Sequence, residues 1–136
     1  MESFQKDFTS QQKAAIICSM TIITKTSDGI SNIEFNYIEQ IAETLGTTLN
    51  NPELITIMQG GRANLALILN TLSQSNKEWY AVAIKGLLSQ KGQPEEKKLH
   101  VALTILNDIG ITEYEFVALA KQAEAIYQAV NKFPQQ

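Results

Sequence analysis

The stretch Lys13-Ala-Ala-Ile-Ile-Cys-Ser-Met-Thr-Ile-Ile-Thr-Lys-Thr-Ser-Asp-Gly29, continued by Ile-Ser-Asn-Ile-Glu34, decides the fold of this chain. Its apolar residues do not alternate, and the run is too long for a typical strand. Ile16-Ile17 and Ile22-Ile23 would suit a strand locally, but length and the capping signals around them favour a helix. Asp28-Gly29 then supplies a turn, and Ser31 followed three residues later by Glu34 has the form of a capping box. The second helix closes at Leu45-Gly46, where glycine suits a helix C-terminus.

The same order recurs downstream. Trp79 to Gly92 gives an apolar helix ending on glycine, Gln93-Pro94-Glu95-Glu96 starts the next, and Ile109-Gly110 closes it. The turn glycines are 63 residues apart and the closing glycines 64. The two units, about 10–46 and 76–110, therefore form a degenerate repeated helix-turn-helix.

Helix starts elsewhere are marked in the same way. Thr9 precedes Gln12, Ser75 precedes Glu78 and Thr112 precedes Glu115, each at capping-box spacing. Asn51-Pro52 adds a capping amide with proline at the first helical position. These signals predict helices over 10–26, 31–45, 51–59, 62–74, 76–90, 94–109 and 112–132. Three-and-four spacing supports them: Phe35, Ile38, Ile41, Ala42 and Leu45 form one stripe, and Leu99, Ala102, Leu103, Leu106 and Ile109 another. Phe116, Leu119, Ala120, Ala123, Tyr127 and Val130 form a third. The first and fifth helices are apolar on nearly all sides, which predicts that they lie centrally. The expectation is one all-α domain over 1–136, a compact bundle of about seven helices.

Composition removes several function classes. A hydrophobic content of 44% with 18% charged residues is that of a folded domain. The net charge of -3 and a single arginine, Arg62, weigh against a nucleic-acid binder. One cysteine precludes an internal disulfide, and one histidine precludes sites built from several imidazoles. No apolar run reaches the roughly 20 residues of a membrane-crossing helix. The first residues lack the basic and apolar regions of a secretory signal, so a cytoplasmic location is expected.

On Asp28-Gly29-Ile30-Ser31-Asn32-Ile33-Glu34, then Ile38, Ile41-Ala42 and Leu45-Gly46, the chain resembles the tellurite-resistance TerB-like family. The likeness spans roughly residues 10 to 125. It implies a compact helical domain with a repeated unit and a stress-response role. It also implies a metal site at the acidic turns, whose counterparts here are Asp28, Glu34, Glu95 and Glu96. Carboxylates alone suit a hard divalent cation, Ca²⁺, Mg²⁺ or Mn²⁺. The second turn departs from the pattern, with Lys91-Gly92 in place of Asp-Gly.

Each remaining candidate has a structural reading beside the functional one. Glu34 completes a cap whether or not it binds an ion. Gly60-Gly61-Arg62 could cradle an anion, but it lacks the strand and spacing of a phosphate loop and reads as a connector. Cys18 reads as a small buried hydrophobe, His100 as a boundary residue and Trp79-Tyr80 as packing aromatics. With one histidine, one cysteine and one arginine, the inventory for catalysis is thin. The expectation is a non-enzymatic accessory or interaction domain with a protein partner. The alternative is a metal-binding or metal-sensing protein; an enzyme and a membrane-surface protein rank below both.

Overall fold

A computed structural model describes residues 8–26, 29–92 and 95–132. Seven helices follow one another in these residues: α1 (Ser10–Thr24), α2 (Asn32–Leu45), α3 (Glu53–Gln59), α4 (Gly61–Leu69), α5 (Gln74–Leu88), α6 (Glu96–Asp108) and α7 (Glu113–Lys132). No strand occurs among the described residues, and the bundle is all-α, as the periodicity requires.

Helix α1 is the axis of the bundle. Every residue from Ala14 to Met20 is buried, and α2, α3, α4 and α6 all pack around it. An apolar surface on every side is buried only by neighbours on every side, which places α1 in the middle. Its one polar group in that run is satisfied locally: the Ser19 hydroxyl donates to the Ile16 carbonyl at 2.7 Å and accepts from the Tyr80 hydroxyl at 2.6 Å. Helix α5 follows the same logic less completely. It buries Tyr80, Ala81, Ala83, Ile84, Leu87 and Leu88 and packs against α2, α6 and α7.

At Gly86 the Tyr37 side chain of α2 reaches α5. A Cβ at that point would collide with the Tyr37 hydroxyl, which donates to the Ala83 carbonyl at 2.8 Å. The missing side chain leaves room for the Tyr37 ring end against α5, and burial there pushes the Tyr37 pKa up to about 12.

Three of the expected capping boxes form, at Thr9–Gln12, Ser31–Glu34 and Thr112–Glu115. The one expected at Ser75–Glu78 does not. Ser73 caps α5 instead, accepting from the Asn76 amide at 3.2 Å. The chain is committed two residues earlier because Leu72 is buried immediately before the cap. For the same reason α4 stops at Leu69, short of the expected 74, and the Thr71 hydroxyl turns back to the Ile68 carbonyl at 2.6 Å. The Asn51-Pro52 start is shifted by one residue: Pro52 occupies the cap position and α3 begins at Glu53, while the Asn51 side-chain oxygen accepts from the Glu53 amide at 3.0 Å just before the helix. Asp28, Gln93 and Pro94 lie outside the described residues, as do the side chains of Ala123, Tyr127 and Val130.

The repeat is visible in the backbone. Gly29 and Gly92 sit at φ +85° and +88°, and Gly46 and Gly110 at +75° and +86°. After each closing glycine the next amide bonds back to the helix: Thr47 to the Ala42 carbonyl and Ile111 to the Leu106 carbonyl, both at 2.9 Å. Both units thus end in the same left-handed closure, which glycine adopts without Cβ strain.

Candidate functional site

The acidic residues of the two turns lead to a buried ion pair. Glu34 is the third residue of α2, so its carboxylate turns back to Ser31, taking the Ser31 amide at 3.2 Å and the Ser31 hydroxyl at 2.9 Å. The third residue of α6 is Lys98. Its ammonium donates to the Glu34 carboxylate at 3.1 Å and 3.4 Å, and only 4–5% of either side chain is exposed. Positions 34 and 98 are 64 residues apart, the spacing of the closing glycines. Ser31 and Glu95, the two cap residues, are related in the same way. The two repeat units therefore meet at equivalent positions, with carboxylate facing ammonium.

Glu95 extends the pair into a small network. Its carboxylate lies 3.7 Å from Lys98 and 3.8 Å from Lys91, at the half-exposed edge of the site. Lys91, the residue that departs from the Asp-Gly pattern, is thus the outer cation of this network. Desolvation raises the Glu34 pKa, but the Ser31 amide, the Ser31 hydroxyl and Lys98 together outweigh it and hold the carboxyl below its ordinary value.

Of the residues expected to hold a metal, Glu34 and Glu95 converge, and Lys98 stands between them. Glu96 is exposed on the first turn of α6, and Asp28 lies outside the described residues. No group of three or more His, Cys, Asp or Glu side chains placed to hold a metal ion occurs among the described residues. A divalent ion here would meet an ammonium already within ion-pair distance of both carboxylates, so this donor set suits a lysine rather than a metal. Sequence reading passed over Lys98 because it stands beside Lys97 and looks like part of a solvated face. The signal was its register: Lys98 leads the stripe that continues through Ala102, Ile105 and Ile109, all buried.

A second feature owes nothing to charge. A cavity of about 340 Å³ opens between α1, α3, α4 and α6, lined by Cys18, Ile22, Ile57, Leu65, Val101 and Ile105, with Met58, Arg62, His100 and Thr104 towards its mouth. Burial pushes the Cys18 thiol up to about 11, so at neutral pH it remains a protonated, unreactive part of the wall. Arg62 grips Asp108 with two bonds, Nε at 2.8 Å and Nη2 at 2.9 Å, tying the start of α4 to the end of α6. The residue that resembled an anion cradle thus holds a carboxylate of its own chain. That partner raises the Arg62 pKa, and Arg62 in turn lowers that of Asp108.

Several large hydrophobic side chains of α3 and α4 are exposed. Ile55 is 63% exposed and Met58 44% on α3, and Leu67 is 69% exposed on α4. Ile55 and Met58 are three residues apart and so neighbours on one helix face, and Met58 itself lines the cavity. A separate groove is lined by Phe35, Glu39, Glu43 and Leu49.

Comparison with protein-family models, with curated proteins and with solved structures found no match. The reading of function consequently rests on the site itself.

Proposed function

We propose that this protein is a non-enzymatic accessory domain, of the TerB-like stress-response kind, that works by docking a protein partner on the exposed side chains of α3 and α4. The observation that carries this reading is the exposure of Ile55, Met58 and Leu67 on these two consecutive helices. Isolated surface hydrophobes are ordinary, but Ile55 and Met58 are neighbours on one helix face and Met58 borders an apolar cavity, a combination characteristic of interaction sites. Methionine in such a face favours adaptable contact. No helix among the described residues is long and apolar enough to cross a membrane.

The test is co-purification of the tagged chain at native level from its own cells. Parent protein should retain a stoichiometric companion that Leu67→Asp loses and Tyr114→Asp keeps, since Tyr114 is even more exposed but lies on α7. Equal retention by all three would contradict the reading. Concentration-dependent self-association abolished by Leu67→Asp would reassign the face to a second copy of the chain.

A further inference from the structure

The cavity has properties that a protein-docking face does not require. Its inner walls are mainly aliphatic, and two of the polar groups nearer the rim already have partners. The Thr104 hydroxyl donates to the His100 carbonyl at 2.9 Å, and Arg62 and Asp108 neutralise each other. Water needs two to four polar partners to be held, and aliphatic walls supply none, so the interior favours an apolar occupant. At about 340 Å³ the space falls within the range of small-ligand sites. A dry cavity of roughly 150 Å³ accommodates a six-carbon ring, so the volume here suits a body of about 8 to 12 carbon atoms.

The mouth adds the second half of the specificity. The His100 side chain is exposed there, and no described residue hydrogen-bonds to its imidazole. Arg62 has five N–H donors, of which Asp108 takes two. These groups can donate to a hydroxyl, carbonyl or amide at the rim. They do not favour an anion, because a carboxylate near Arg62 would also face Asp108.

We propose that the cavity between α1, α3, α4 and α6 is a binding site for a small uncharged amphiphile, with its apolar body inside and a neutral hydrogen-bonding end group at the Arg62–His100 mouth. The proposal stands apart from partner docking, since the ligand would be enclosed by Cys18, Ile22, Leu65 and Val101 rather than spread over α3 and α4.

Cys18, the only cysteine of the chain, is a built-in reporter because it forms part of the wall. Alkylation by N-ethylmaleimide is followed at pH 9, where more thiolate is available, with 1-decanol or decanoate present. Calorimetric titration and thermal melting are run on the same samples. Decanol should slow alkylation at least tenfold at saturation and raise the melting temperature by several degrees. Decanoate should bind at least tenfold more weakly. Thr104→Phe, which fills the cavity from its mouth, should abolish the decanol effect while leaving the circular dichroism spectrum unchanged. Val101→Phe serves the same purpose where Thr104→Phe fails to fold. Absence of calorimetric binding by decanol, equal or tighter binding of decanoate, or a decanol effect that survives in a folded filled variant would each overturn the proposal.

Discussion

Replacing Lys98 by methionine removes the ammonium from a carboxylate that cannot reach water. Lys98 and Glu34 are both almost wholly enclosed, with 4% and 5% of their side chains exposed. Breaking a buried pair from one side typically destabilises by 3–5 kcal/mol, because the remaining charge is left desolvated. Glu34 would keep the Ser31 amide and hydroxyl, and it lies in the first turn of α2, where the helix dipole favours a negative charge. The expected loss is therefore at the lower end, about 3 kcal/mol. In urea this corresponds to a fall of about 1.5–2 M in the unfolding midpoint for a chain of this size. The double variant Glu34→Gln, Lys98→Met separates the charge from the shape. It leaves no buried ion, and its amide oxygen can still accept from Ser31, so it should lie within about 1 kcal/mol of the parent. The assay is equilibrium urea unfolding of the three proteins at pH 7. A single variant within about 1 kcal/mol of the parent, or a double variant as unstable as the single, would refute the buried-pair reasoning.

Four further outcomes follow from the same structure. The Glu34 carboxyl is depressed, so its contribution is present above its ordinary value of 4.5 and lost as pH falls through the folded value; the parent should lose stability below about pH 4.5, and Glu34→Gln should flatten that part of a melting-temperature profile. Gly86→Ala should destabilise by about 1–3 kcal/mol despite alanine's better helix propensity, because the Tyr37 ring must leave Ala83; a melting temperature equal to or above the parent's would contradict it. Ser73→Ala should lose about 1 kcal/mol while Ser75→Ala changes little, and reversed magnitudes in denaturant unfolding would restore the expected cap at Ser75. Tyr80→Phe should lose about 1–2 kcal/mol through the missing bond to Ser19, and unchanged thermal stability would show that the bond contributes nothing.

The fold was legible because local and global signals agree in this chain. The all-round apolar character of Ala14 to Met20 predicts the central place that α1 occupies, and the capping residues locate five of the helix starts within two residues. What misled was competition between adjacent signals. Ser73 and Ser75 are both able to cap, and burial of Leu72 decides between them. The site was half legible. Glu34 was found through its cap, but the spacing that brings Lys98 to it is a tertiary fact, the meeting of two repeat units. A lysine on an apolar stripe is ordinarily read as solvated, since its long stem can carry the charge out to water. Here the carboxylate across the interface keeps it in. The cavity was illegible for a simpler reason: an aliphatic wall and an aliphatic core have the same sequence pattern, and only packing separates them.

Site-specific photo-crosslinking in living cells tests the central claim most directly, with a photoreactive side chain placed in turn at positions 55, 67 and 97. Ile55 and Leu67 lie on the proposed docking face, whereas Lys97 is exposed on α6. The account predicts one discrete crosslinked species from 55 and 67, absent from 97 and lost from 67 when Ile55 is also changed to Ser. Crosslinks from 97 alone, or the same diffuse products from all three positions, would contradict it.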